Sequence, residues 1–111
     1  MTITEEEVGP RTVVVALDGR FDTGSAPVVE AALLVTASAH PCTITDLSAV
    51  RFISSAGLRV LLKAAKTARS AGNSFVICGL QPAVREVFDM TGFDAIIRIY
   101  AERGEAVARH T

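Results

Sequence analysis

Two adjacent serines, Ser54 and Ser55, are the residues whose chemistry is most informative in this sequence. They stand between a strand-like run that begins at Cys42 and an amphipathic helix predicted from about Gly57 to Ser70. A serine hydroxyl at the start of a helix can accept a hydrogen bond from a backbone N–H two or three residues on. The same hydroxyl can carry a phosphate. We therefore expect a function at this junction.

The surrounding pattern alternates between strands and helices. The predicted strands are 2–7, 13–17, 42–47, 74–78 and 95–99. The predicted helices run from a cap at Thr23 or Ser25 to about Ser38, and over 57–70, 81–92 and 101–109. Connections of this length between strands indicate parallel pairs with right-handed crossovers. The predicted fold is α/β, a single domain over 1–111 in which a small, mostly parallel sheet packs with about four helices.

In such sheets, partners and ligands favour the edge at the carboxyl ends of the strands. Three predicted loops lie at that edge, 19–25, 48–57 and 79–82. We expect them to bring Asp22, Asp46 and Ser55 together.

Composition argues against several classes of partner. The net charge is −1, from 11 basic and 12 acidic residues, so there is no electrostatic basis for direct binding of nucleic acid or an anionic membrane surface. No segment approaches the run of about 18–20 apolar residues that a membrane span needs. The N-terminus is acidic where a secretory signal would be basic. We expect a cytoplasmic domain without membrane insertion.

Catalytic and metal-binding patterns are missing from the sequence. Gly-x-Ser-x-Gly and glycine-rich phosphate loops do not occur. Cys42 and Cys78 fall in strand-like runs and are expected to be reduced and buried, since no further Cys or clustered His supports a disulfide or a metal site. We expect no enzymatic activity, no cofactor and no metal.

Two interpretations of the serine junction remain open on the residues alone. As a helix cap, Ser54 or Ser55 contributes about 1 kcal/mol to stability. As a phosphate acceptor, Ser55 would gain about −1.5 to −2 charges at the positive end of the helix dipole, which stabilises such charge by about 0.3–2 kcal/mol. A partner docked there would lose several kcal/mol by desolvating the phosphate. Phosphorylation would then switch association and leave the domain folded.

The chain resembles the STAS domains of the anti-sigma factor antagonist family. The resemblance covers nearly the whole length and rests on the order and spacing of five stretches: Gly19-Arg20-Phe21-Asp22, Asp46-Leu47-Ser48-Ala49-Val50-Arg51-Phe52-Ile53, Ser55-Ala56-Gly57-Leu58, Pro82-Ala83-Val84 and Phe88-Asp89-Met90-Thr91-Gly92-Phe93.

The resemblance implies partner switching. The unphosphorylated antagonist binds an anti-sigma factor that is also a serine kinase, and this frees a sigma factor. The kinase phosphorylates the antagonist, which then dissociates, and a PP2C-type phosphatase resets it. The phosphoserine of the family maps onto Ser55. The sequence departs from the family at Ser54, often Asp, and at Ala56, often Ser or Thr. Ser54 is therefore a competing acceptor.

The partner-binding surface that we predict comprises seven residues: Asp22, Ser54, Ser55, Ala56, Gly57, Arg59 and Lys63. The plain alternatives are that Asp22 and Asp46 are turn residues, and that Arg59, Lys63 and Lys66 form a solvated helix face. Two other functions also stay open. One is a constitutive STAS scaffold, as in stressosome-like assemblies or lipid-transport ABC systems, and the other is a small-ligand or nucleotide sensor at the strand edge.

Overall fold

A computed structural model describes residues 1–111. The five strands are β1 (Thr2–Gly9), β2 (Thr12–Phe21), β3 (Cys42–Ile53), β4 (Ser74–Cys78) and β5 (Arg98–Tyr100). The four α-helices are α1 (Ala26–Ala39), α2 (Ser55–Ser70), α3 (Pro82–Thr91) and α4 (Arg103–His110), and a short 3-10 helix covers Phe93–Ala95.

The strands form one mixed sheet in the order β1-β2-β3-β4-β5. β1 is antiparallel to β2, and every other neighbouring pair is parallel. The predicted α/β fold with a small, mostly parallel sheet and four helices is confirmed.

The two faces of the sheet have separate cores. Helices α1, α2 and α3 cover one face, where Phe21, Leu61 and Phe88 belong to a cluster of 20 buried apolar residues. Helix α4 covers part of the other face, where Ala106 packs in a cluster of 7. The alternating side chains of β3 serve both faces, since Ile44 belongs to the smaller cluster and Leu47 to the larger.

Strands β2 and β3 extend further than predicted. The predicted loop 48–57 is β-strand as far as Ile53, which pairs with Phe21. The hydrogen-bonded pairing of β2 with β3 continues through two register shifts. At each shift β3 has one extra residue, once opposite residues 16–18 of β2 and once opposite residues 19–20. The buried residues of this segment, Leu47, Val50 and Ile53, consequently recur every third position and not every second. A search for alternating apolar residues therefore missed the second half of β3.

The C-terminal elements also differ from the prediction. Residues 95–97 are not strand, because the 3-10 helix and Ile97 pack into the larger core before β5 begins. The end of α4 is attached to β2, since the Thr12 hydroxyl donates to the carbonyl oxygen of His110 at 2.6 Å.

Candidate functional site

Helix α2 begins at the serine junction, and Ser54 caps it. The Ser54 backbone is extended, with φ −93° and ψ 173°, and its hydroxyl oxygen accepts from the Gly57 N–H at 3.3 Å. Of the two serines that could cap the helix, Ser54 therefore does so.

Ser55 is the first helical residue of α2 and is exposed. Its hydroxyl takes part in none of the side-chain hydrogen bonds of the protein, whereas that of Ser54 is occupied by the cap. The first turn of α2 contains no acidic residue. The two adjacent hydroxyls thus differ in availability, and the free one lies at the positive end of a helix of 16 residues.

Gly57 lets the start of α2 lie directly on the end of β2. A Cβ at this position would lie 2.8 Å from Cγ1 of Ile53 and 2.9 Å from the carbonyl oxygen of Phe21, closer than real side chains approach. The same carbonyl accepts from the Ser54 N–H at 2.9 Å. Phe21 therefore fixes the position of the junction through both packing and a backbone hydrogen bond.

Asp22 follows Phe21 and organises the turn into α1. Its Oδ1 accepts from the N–H groups of Gly24 and Ser25 at 3.0 and 3.1 Å. The backbone hydrogen bond from Ser25 is the main cause of an Asp22 pKa below the ordinary value. Desolvation opposes it, and the hydrogen bond from Gly24 and the charge of Arg20 lower the pKa further. The carboxylate is thus ionised and engaged in its own turn. Asp22 forms no hydrogen bond with Ser54 or Ser55. It affects the serine junction through the adjacent Phe21, whose carbonyl oxygen accepts from the Ser54 N–H.

The Ser25 hydroxyl does not cap α1, although Ser25 occupies the N-cap position. It accepts from the Asp22 N–H at 3.0 Å and donates to the Arg20 carbonyl at 2.7 Å. The prediction of a capping serine is correct in position and wrong in bonding, because the hydroxyl closes the preceding turn.

Asp46 does not join Asp22 and Ser55. It lies within β3 on the face covered by α4, where it is 7% exposed. Its Oδ1 accepts from the Ser48 N–H at 2.9 Å, and its Oδ2 lies 3.8 Å from Nη1 of Arg103. The expectation that Asp46 shares an edge with Ser55 is wrong, because β3 continues seven residues beyond it.

The basic residues of α2 lie on its exposed side. Arg59 and Lys63 follow Ser55 at intervals of four residues, which places all three on one stripe of the helix. Lys63 Nζ lies 3.4 Å from Oε2 of Glu30 on α1, whereas Arg59 has no acidic partner. The stripe therefore presents both a hydroxyl and cations to solvent.

Arg20 and Phe52 form a pair beside the junction that sequence analysis missed. They are register partners at the ends of β2 and β3, and the Arg20 guanidinium carbon lies 4.2 Å from the centroid of the Phe52 ring. Phe52 is 40% exposed. Only knowledge of the bulged register could have paired them, since they lie in different predicted loops.

A cleft of about 410 Å³ opens next to this pair, and no residue of α4 lines it. Only one of its seven lining residues, Ala49, is hydrophobic; the others are Asp18, Gly19, Arg20, Ser48, Arg51 and Gln81. Pockets for small molecules are mostly apolar, so the cleft does not favour the ligand-sensor alternative.

No three His, Cys, Asp or Glu side chains cluster so as to hold a metal ion. Cys42 and Cys78 are free and buried. Burial raises the pKa of Cys42 to about 11 and is the main cause of the Cys78 value of about 12. Neither thiol is a candidate nucleophile. None of the helices has the length and apolar character needed to cross a membrane.

Comparisons with known proteins identify the family of this chain. The STAS domain matches residues 4–106. BtrV of Bordetella bronchiseptica, provisionally named an anti-sigma factor antagonist, is 36% identical over 97 residues, which cover 86% of this chain and 84% of BtrV. The anti-sigma-B factor antagonist of Listeria monocytogenes is 33% identical over 88 residues, 78% of this chain and 77% of the relative.

A solved structure extends the comparison to three dimensions. The crystal structure of an anti-sigma factor antagonist from Mycobacterium paratuberculosis superposes with a TM-score of 0.86 at 29% identity, covering 97% of this chain and 92% of that one. The family match, the relatives and the superposition each span most of the chain. The chain belongs to the STAS domain family.

Proposed function

We propose that this protein is an anti-sigma factor antagonist that is switched by phosphorylation of Ser55. In the unphosphorylated form it binds an anti-sigma factor that is also a serine kinase, and a sigma factor is released. Phosphorylation of Ser55 ends the binding, and a PP2C-type phosphatase restores it. The names of the relatives from Bordetella and Listeria support the general role. A role in sigma-factor control implies a location in the cytoplasm.

The observation that carries the proposal is the difference between the two serine hydroxyls. The Ser54 oxygen accepts a hydrogen bond from the Gly57 N–H, and it would have to give up this bond in order to attack a phosphoryl group. The Ser55 hydroxyl is exposed and has no partner within the protein. Phosphoryl transfer to Ser55 therefore disturbs no existing bond, which favours Ser55 over Ser54 as the acceptor.

The surroundings of Ser55 suit a dianion. A phosphate brings about −1.5 to −2 charges, and the start of α2 stabilises negative charge by about 0.3–2 kcal/mol. Helix α2 contains four basic and no acidic residues. Arg59, four residues beyond Ser55 on the same stripe, is positioned to pair with the phosphate. The phosphorylated domain is therefore expected to stay folded.

The effect on a bound partner is much larger than the effect on the fold. A partner lying over Ser55 would have to desolvate the phosphate, at a loss of several kcal/mol, and each 1.4 kcal/mol is about tenfold in affinity. Pairing of the phosphate with Arg59 would also withdraw that cation from the partner. We assign this surface to Asp22, the run 54–57, Arg59 and Lys63, in which Asp22 and Gly57 act by shaping the junction and the others by contact.

The chain is expected to be the substrate of a kinase and not itself an enzyme. Neither serine hydroxyl at the site is hydrogen-bonded to a base, since the Ser54 oxygen accepts from the Gly57 N–H and the Ser55 hydroxyl has no partner within the protein. A Ser nucleophile in an enzyme needs such a base within hydrogen-bond reach.

Affinity measurements with the anti-sigma kinase test the proposal. Without ATP, S55A should bind as tightly as the wild type, and S55D should bind at least tenfold more weakly. S55N serves as the matched control, because its side chain is nearly the size of that in S55D but carries no charge, and it should bind more tightly than S55D. Equal binding by S55A and S55D would contradict the switch. A complex that ATP does not dissociate would instead support a constitutive scaffold.

A further inference from the structure

The outward face of α1 carries no charged side chain. Its exposed residues are Pro27, Val28, Ala31, Val35, Ser38 and Ala39. Val28 and Val35, two helical turns apart, are 54% and 67% exposed. The only charged residue of α1, Glu30, is turned towards α2, where it pairs with Lys63. We call the exposed line through Val28, Ala31 and Val35 the α1 strip.

Helix α2 packs beside α1, and all of its charged residues are basic. Its charged residues are Arg59, Lys63, Lys66 and Arg69, all exposed and all basic. Only Lys63 has an acidic partner. A groove between the two helices is lined by Ser38 from α1 and by Lys63 and Lys66 from α2. Ser38 lies three residues after Val35 and therefore on the same side of α1, so the α1 strip meets the groove and its cations at Ser38.

We infer that the anti-sigma kinase docks on this surface with an apolar segment that has an acidic edge. The inference rests on the proposed function and adds the α1 strip and Lys66 to the partner-binding surface. Apolar side chains of the segment would cover Val28 and Val35, and its acidic edge would lie against the α2 cations. Seating an amphipathic helix by its apolar face is a common mode of recognition.

Charge and side-chain size favour such a partner over other occupants. Membrane-surface elements use Trp, Phe and Leu to enter lipid, whereas the α1 strip exposes only Val and Ala. In a two-fold dimer with antiparallel α1 helices, the α2 helices of both copies would border the same side of the interface. Their unpaired cations would then repel each other.

The surface is continuous with the switch. Ser55, Arg59, Lys63 and Lys66 follow one another along the exposed side of α2, from its first residue to its last turn but one. A partner that covers the α1 strip and the α2 cations therefore reaches Ser55 at one end. This arrangement lets a single phosphate at the end of the surface act on a larger interface.

The test compares V35D and K66E with two controls on other surfaces. M90D replaces an apolar residue on α3 that is 80% exposed, and R109E reverses an exposed charge on α4. Affinity for the anti-sigma kinase is measured without ATP, and thermal melting verifies that each variant is folded. V35D and K66E should each bind at least tenfold more weakly, while M90D and R109E stay within twofold of the wild type.

The outcomes separate this inference from the proposed function. Wild-type affinity and normal Ser55 phosphorylation in both V35D and K66E would overturn the inference and leave the switch intact. A wild type that neither binds the kinase nor is phosphorylated would overturn both. A wild-type dimer in sedimentation that V35D dissociates would assign the strip to a second copy, and binding to phosphatidylglycerol vesicles that K66E abolishes would assign it to a membrane. Either result overturns the inference.

Discussion

The hydroxyl oxygen of Ser54 accepts a hydrogen bond from the backbone N–H of Gly57 at 3.3 Å. This contact occupies one serine of the junction and leaves Ser55 exposed. It also joins the cap to the glycine whose close packing on Phe21 positions the helix. Ser54 therefore caps the helix, and the adjacent Ser55 is the proposed phosphate acceptor. Substitutions of the two residues can separate these roles.

Removing each hydroxyl should affect stability differently. S54A loses the helix cap, so its free energy of unfolding should fall by about 1 kcal/mol. S55A removes an exposed hydroxyl without a partner and should change that free energy by less than about 0.5 kcal/mol. Denaturant titration of both variants measures the difference. A larger loss in S55A than in S54A would mean that the cap is assigned to the wrong serine.

Gly57 should not tolerate a methyl group. G57A places a Cβ 2.8 Å from Ile53 Cγ1 and 3.0 Å from Phe21 Cγ, so overpacking should lower the free energy of unfolding by about 1–3 kcal/mol. G104A is the matched control, because nothing lies within 4 Å of its Cβ on α4. Higher helix propensity should raise its stability by up to about 1 kcal/mol. Equal effects of the two substitutions in denaturant titrations would contradict this packing.

Two buried threonines offer a route to higher stability. The hydroxyls of Thr43 and Thr45 are buried in β3 without a hydrogen-bond partner. An unsatisfied buried hydroxyl costs about 1–3 kcal/mol, so T43V and T45V should each raise the free energy of unfolding. In the control T12V, the lost hydroxyl donates to the His110 carbonyl, and stability should fall by about 0.5–1.5 kcal/mol. Destabilisation by T45V to the same extent would show that its hydroxyl has a partner.

His110 should make stability depend on pH. Burial lowers its pKa below the ordinary 6.5, and repulsion from Arg98 and Arg109 adds to the effect. As pH falls through that ordinary value, the unfolded chain binds a proton that the folded protein binds less readily, so the free energy of unfolding falls. The H110Q variant should show a weaker dependence between about pH 7.5 and 5.5. Identical pH profiles of H110Q and the wild type would contradict a role for this histidine.

The order of the strands and helices could be predicted from the sequence. The prediction failed where register shifts between strands break the regular spacing of buried side chains. Hydrophobic runs such as 74–78 and the stripe that includes Val84 and Phe88 predicted their strand and helix correctly. The second half of β3 was missed, because extra residues at two register shifts change the spacing of buried side chains from two to three. No composition or alternation pattern signals such a bulge.

The candidate site, too, could be predicted only in part. Residue types located the serine junction and its family resemblance located Ser55, but neither could decide which hydroxyl caps the helix. That depends on the extended backbone of Ser54, which only the fold defines. Similarly, Asp46 was grouped with Asp22 by its place after an apolar run, whereas the continued strand leaves it on the other face beside Arg103.

Mapping the phosphorylated residue tests the central claim most directly. The wild type, S54A and S55A are incubated with the anti-sigma kinase and ATP, and the modified residue is identified by mass spectrometry. We predict a single phosphate on Ser55 in the wild type, the same phosphate in S54A, and none in S55A. A phosphate on Ser54 in the wild type, or undiminished phosphorylation of S55A, would contradict the account.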